Sequence, residues 1–118
     1  SVEVLLKGLQ SLGPETVVIT LGVDGAAAMN STGEVFLVPG QSANVINTVG
    51  AGDGFLASLI CSLASGLDLE QSLINATYVG KVVCTKQAAS LEKEDVHILN
   101  SEANYVRVLG VEKSVREK

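Results

Sequence analysis

The chain has 118 residues, 47% of them hydrophobic and 18% charged, with thirteen acidic against eight basic residues and a formal net charge of -5. That size and composition describe one soluble domain with room for a core but little room for a second domain. The acidic balance, with neither a basic run nor interleaved aromatics, argues against nucleic-acid or anionic-membrane binding, and no apolar run approaches the ~20 residues that span a bilayer.

Aromatics make up 3% and Trp is absent, so the core must be aliphatic and alanine-rich. The chain starts at Ser1 without a signal peptide and has one Met, at position 29, which suggests a piece of something longer. Cys61 and Cys84 are lone, widely spaced and inside helical patterns. They read as small buried hydrophobes in the cytoplasm or another reducing compartment, not as a disulfide or zinc site.

In chain order, residues 2–12 carry Val2, Val4, Leu5, Leu6, Leu9 and Leu12 at amphipathic-helix spacing, and Gly13-Pro14 stops the pattern. Glu15–Leu21 is a β-branched run without polar alternation, expected to be a strand buried on both faces. Gly22-Val23-Asp24-Gly25 then makes a tight turn. Two further strands, Ala26–Asn30 and Glu34–Pro39, are joined by a hairpin turn at Ser31-Thr32-Gly33. An extended piece, Ala43–Ile46, leads into a glycine-rich stretch at residues 47–55.

From Gly54 to about Ser65, the residues Phe55, Leu56, Leu59, Ile60 and Leu63 fall at helical spacing, and Gly66 ends the element. Asp68 and Gln71 read as a capping box for a second helix that reaches about Lys86. Residues 87–100, with the only histidine, His97, read as loop. A last helix is expected near Ser101–Leu109, followed by a frayed tail over about 110–118. The whole is a single α/β domain.

Asn47-Thr48-Val49-Gly50-Ala51-Gly52-Asp53-Gly54-Phe55 is the stretch with chemistry in it. A glycine turn running into a helix offers unpaired N–H groups and the positive end of the helix dipole to an anion. Gly50, Ala51 and Gly52 are the candidate anion hole. Asp53 is the candidate base, an acid made useful beside a phosphate if it accepts a proton. Asp is equally a preferred N-cap, and spacing alone leaves both readings open.

A weaker signal is Thr20-Leu21-Gly22-Val23-Asp24-Gly25. A turn at the carboxyl end of a parallel strand is where α/β folds bind ligands, but a plain structural turn fits this one as well. Asn75 and Lys86 are polar positions on the second helix, of the kind that mostly face solvent. His97 has no partner at a telling spacing, and no CxxC, HExxH or paired-carboxylate signature is present.

Together these motifs resemble the carboxyl-terminal part of the PfkB (ribokinase-like) carbohydrate kinase family over about residues 2–90. That family's second signature reads approximately Asp-Thr-x-Gly-Ala-Gly-Asp-Ser/Ala-Phe, and residues 47–55 are similar to it at most positions. The Thr-Leu-Gly-x-x-Gly turn and the hairpin lie where the family has them. Asn44-Val45-Ile46 before Asn47 resembles the family's pseudouridine-kinase branch.

The resemblance implies a three-layer α/β/α fold and ATP-dependent phosphoryl transfer to a hydroxymethyl group of a sugar or nucleoside. It implies Asp53 as base, with Gly50, Ala51 and Gly52 as the anion hole. Thr20, Gly22 and Gly25 would lie near the nucleotide phosphates and ribose, and Asn75 and Val79 would border the adenine. Mg²⁺ would come with ATP, and a monovalent cation (K⁺) would sit at Asn47 and Thr48.

Two departures touch that cation. Asn47 replaces the usual Asp, keeping a carbonyl oxygen but losing the charge, and Gln87 stands where Gly is frequent. The resemblance also implies that the sugar or nucleoside is bound mainly by an amino-terminal half absent from these 118 residues. The chain would then be a partial domain, the nucleotide and catalytic-base half, inactive alone and with an apolar edge prone to homo-oligomer formation. A non-catalytic nucleotide-binding or regulatory module and a plain structural domain are the rival readings.

Overall fold

The computed structural model describes residues 1–40, 44–86 and 112–114. Its elements are α1 (Val2–Gln10), β1 (Val17–Thr20), a 3-10 turn (Gly22–Asp24), β2 (Gly25–Met29), β3 (Val35–Pro39), α2 (Ala51–Ala64), α3 (Leu69–Cys84) and β4 (Glu112–Ser114). The described strands form one sheet in the order β1-β2-β3-β4, with every pair antiparallel. This corrects the expectation of a parallel strand before the Thr20–Gly25 turn. The connection from β1 to β2 is a few residues long, and so short a link can only return the chain antiparallel.

Strand alternation sorts the side chains between two faces. Ala26, Ala28, Phe36 and Val38 share one face, where Phe55 and Leu59 of α2 and Leu73, Ile74, Ala76 and Tyr78 of α3 complete a core. Val17, Ala27, Met29 and Val35 take the other face beneath Leu6 of α1. Helix, sheet and paired helices make the three layers expected. Because β1 lies at one edge of the described sheet, only Val17 in it is buried, Val18 and Ile19 are half-buried, and Thr20 is exposed. The strand was expected to be covered on both faces throughout.

Local chemistry explains most of the boundaries. Ser1 caps α1 by accepting the Val4 N–H at 3.4 Å. Asn30 closes the hairpin, its Oδ1 accepting the Thr32 N–H at 3.1 Å, the Thr32 hydroxyl at 2.8 Å and the Glu34 N–H at 2.9 Å. Asp68 caps α3 through the Gln71 N–H at 2.7 Å, while the Gln71 amide nitrogen donates forward to Asn75 Oδ1 at 3.0 Å. The Asp half of the expected capping box is therefore in place.

Three further expectations change. Asn44–Ile46 form no strand, and the N–H groups of Ile46 and Asn47 instead donate to the Cys84 carbonyl at 2.8 and 3.2 Å. Glu112–Ser114, expected in a frayed tail, pair with Val35–Leu37, whose edge offers ladder hydrogen bonds. Cys61 is exposed rather than buried, because α2 turns only Phe55, Leu59 and Ser62 inward, whereas Cys84 is half-buried at the end of α3.

On α2, Leu56, Ile60 and Leu63 are also exposed, so its apolar surface is wider than the buried one. Ala43, Gln87, the loop with His97 and the helix expected near 101–109 lie outside the described residues. Among the described residues no helix is long and apolar enough to cross a membrane.

Two neighbouring residues on α3 give opposite stability predictions. Leu73 is fully buried, and Leu73→Ala should cost about 2–5 kcal/mol. Ser72 is equally buried, and its hydroxyl has no hydrogen-bond partner among the described residues. Ser72→Ala should therefore be neutral or stabilise by about 1 kcal/mol. Urea unfolding of the intact protein measures both.

Candidate active site

Helix α2 starts at Ala51, three residues before the apolar spacing suggested. Side-chain spacing marks where a helix becomes amphipathic, not where its backbone begins to turn. Gly50 is the N-cap, with φ 83° and ψ -5°, a left-handed conformation that favours glycine. Among the described residues no side chain caps this end. Asp53 is therefore not the N-cap. It lies in the first turn, exposed, at the positive end of the helix dipole.

The Ala51 N–H turns back onto the Thr48 carbonyl at 3.2 Å, and helical bonding begins with Gly54 N–H to the Gly50 carbonyl at 2.9 Å. Among the described residues, the N–H groups of Gly50, Gly52 and Asp53 have no acceptor. The open donors thus include Gly50 and Gly52, as anticipated. The amide of Asp53, which sequence reasoning did not single out, joins them, and Ala51 is tied to the incoming loop.

The second motif stands at the end of β1. Gly22, with φ 59°, opens the 3-10 turn, and Leu21 N–H donates to the Gly25 carbonyl at 2.8 Å. Gly25, with φ 98°, lies so close to the end of β3 that a Cβ would collide with the Val38 carbonyl and the Gly40 nitrogen. A Cβ on Gly40 would in turn strike the Val23 carbonyl. The corner and the exit of β3 are pressed together backbone to backbone.

A cavity of about 280 Å³ opens between the two motifs. The corner contributes Thr20, Gly22, Val23 and Gly25, and the segment leading to α2 contributes Gly40, Val45 and Thr48. Ala51, Gly52 and Phe55 of α2 and Thr77, Gly80, Lys81 and Cys84 of α3 complete the wall. Tertiary folding has joined turns that are more than twenty residues apart in the sequence. Gly50 and Asp53 flank the wall rather than form it, and Asn47 uses its Oδ1 to accept the Val49 N–H at 3.0 Å.

Asn75 and Val79 do not line this cavity. At roughly 100° per residue they lie about half a turn round α3 from the face carrying 77, 80, 81 and 84. Asn75 instead links the helices, accepting from Gln71 and donating to Ser62 Oγ at 3.4 Å. Val79 packs against the core between sheet and helices. The residues missed were Thr77, Lys81 and Cys84. Their shared helical face was legible, but nothing in the sequence marked it as facing a cleft. Among the described residues no group of three or more His, Cys, Asp or Glu could hold a metal ion.

Three layers with a glycine-lined cleft at the uncapped start of a helix define a ribokinase-like α/β domain. Ribokinase from Thermotoga maritima shares this fold, with a TM-score of 0.76 at 24% identity over 86% of this chain and 35% of its own. The chain belongs to the pfkB family of carbohydrate kinases, whose pattern matches residues 1–95. It is 36% identical to 5-dehydro-2-deoxygluconokinase of Shouchella clausii (strain KSM-K16) over 84 residues, 71% of this chain and 26% of that protein.

The aminoimidazole riboside kinase of Salmonella enterica, solved with aminoimidazole riboside and an ATP analogue, is 30% identical, with a TM-score of 0.70. That match covers 81% of this chain and 34% of the solved one. The chain thus spans between 26% and 35% of the lengths of these relatives.

The close contact at the cavity corner is testable by comparing two glycines. Gly22→Ala places its Cβ in open space and meets only the left-handed backbone, a cost of about 1–2 kcal/mol. Gly40→Ala meets the Val23 carbonyl directly and should cost about 3 kcal/mol. Denaturant midpoints of the two variants, read against wild type, check the order.

Proposed function

We propose that the intact protein carrying these residues is a kinase that transfers the γ-phosphoryl group of ATP to a hydroxymethyl group of a sugar or nucleoside. The observation that carries this reading is the convergence of the Thr20–Gly25 corner and the uncapped start of α2 on one cavity. Family membership supports it. So do the activities named for the relatives, one acting on a deoxygluconate derivative and one solved with a riboside and an ATP analogue.

In this reading the phosphates lie on the open N–H groups at the start of α2, whose dipole and donors stabilise charge on the transferring group. Asp53, exposed beside those donors, accepts the proton of the attacking hydroxyl. The new bond joins the substrate oxygen to the γ-phosphorus, and the bond to the bridging oxygen breaks, releasing ADP. ATP supplies the phosphoryl group, and the glycine-lined cavity fits it as a place where backbone must approach closely.

Mg²⁺ would arrive on the nucleotide, carried by its phosphates. A monovalent cation is the element these residues favour least. Asn47 Oδ1 and the Thr48 carbonyl already accept the N–H groups of Val49 and Ala51, so a cation would have to share them. The isolated 118-residue chain, holding the nucleotide and base side only, should phosphorylate no sugar.

Asp53→Asn in the intact protein should lower kcat by about 10²–10⁴-fold while ATP affinity stays within a few-fold. Turnover that survives the change removes Asp53 from the chemistry. ATP affinity with no turnover in wild type would instead favour a non-catalytic nucleotide-binding module. Saturating ATP–Mg²⁺ at a hundredfold its Kd should raise unfolding free energy by about 2.7 kcal/mol, and a null result there leaves only a structural domain.

A further inference from the structure

We propose that Lys81 is the residue through which this cleft recognises the charge of a nucleoside polyphosphate. The proposal rests on the kinase reading above and names a specificity-determining side chain for its nucleotide. Among the described residues, Lys81 is the one charged side chain in the cavity wall, which otherwise consists of glycine, threonine and small or apolar groups.

Its position follows from the packing of α3 on α2. Gly80 faces the start of α2, where a Cβ would sit 3.5 Å from the Ala51 carbonyl and 3.8 Å from Phe55 Cβ. The next residue is Lys81, and it shares the cavity wall with Ala51 and Gly52 at the start of α2. Lys81 and Gly52, whose N–H is open, therefore line the same space, and the open N–H groups of Gly50 and Asp53 flank it.

The lysine is also preorganised. Its Nζ lies 5.0 Å from the centroid of the Tyr78 ring, and that ring is 4% exposed, fixed in the core. A ring held this firmly narrows the positions the ammonium samples, so less entropy is lost when an anion meets it. No carboxylate among the described residues pairs with Lys81, in contrast to Lys7, which pairs with Glu3 on α1 at 3.5 Å.

Charge balance gives the cation a task. Asp24 follows Val23 at the corner, Asp53 follows Gly52 at the helix start, and both are exposed. A polyphosphate approaching this acidic chain meets their repulsion, and backbone donors alone carry only partial charges. Lys81 supplies the full positive charge that offsets it. A nucleoside without phosphates gains nothing from it, so Lys81 separates ATP from adenosine.

The test is calorimetric titration of the intact protein with ATP, ADP and adenosine, in wild type and in Lys81→Met, Lys81→Gln and Lys81→Arg. Loss of the charge should weaken ATP about tenfold and flatten its salt dependence, with adenosine within twofold. Lys81→Arg should keep most of the ATP affinity. Unchanged adenosine binding certifies that the cleft is folded, and Lys81→Gln serves if the Met variant does not fold. ATP and adenosine weakened equally, or neither weakened, overturns the assignment while leaving the kinase reading intact. Failure of wild type to bind ATP at all overturns both.

Discussion

Helix α2 begins on Gly50 in the left-handed region, with no side chain folded back over its end. That backbone choice leaves amide groups open at the positive end of a fourteen-residue helix, and the surrounding structure keeps them so. The Thr48 carbonyl accepts the Ala51 N–H, and the Cys84 carbonyl anchors Ile46 and Asn47 just before the turn. A side-chain cap in place of Gly50 would stabilise the helix start by itself by only a few tenths of a kcal/mol. Leaving it bare is the kind of local cost that sites carry and scaffolds avoid.

The sheet makes this affordable in space. Ala26, Ala27 and Ala28 of β2 are buried to within 1% and occupy little volume on either face. On one face larger side chains from the helices, Phe55, Leu59, Leu73 and Ile74, fill much of the core, and on the other Leu6 of α1 packs on Val17, Met29 and Val35 of the sheet. With the helices placed by that packing, glycines do the fine positioning where chain meets chain. Gly25 and Gly40 let the β1–β2 corner meet the exit of β3, and Gly54 lets α2 approach α3, where a Cβ would meet Val83 Cγ2 at 3.0 Å. The cavity is what remains between these contacts.

Much of this was legible residue by residue. The helices expected over residues 2–12, from Gly54 to about Ser65 and after Asp68 to about Lys86 are present within a few residues, and the hairpin follows from its Ser31-Thr32-Gly33 turn. Within the motif at residues 50–53, Gly50 takes a left-handed backbone that few other residues tolerate. Less legible were facts about partners in space. The antiparallel direction of β1, the strand at Glu112–Ser114 and the exposure of Cys61 depend on which neighbour each residue meets. Asn75 illustrates the limit: its residue type suggested a solvent-facing position and the family resemblance an adenine contact, whereas in the structure its amide joins Gln71 to Ser62.

By itself, then, the sequence determined the three helices, the first three strands and the turn at which an anion can be received, and it carried the resemblance to the family. Those are local properties: periodicity over a few residues, glycines that permit positive φ, and an acid placed one step after them. Only the tertiary structure decided that Gly50, not Asp53, caps α2, and that the face of α3 bearing Thr77 and Lys81 closes the cleft. The reason is geometric. A helix carries its residues around a full circle every 3.6 positions, and only its packing partner determines which arc of that circle meets the ligand.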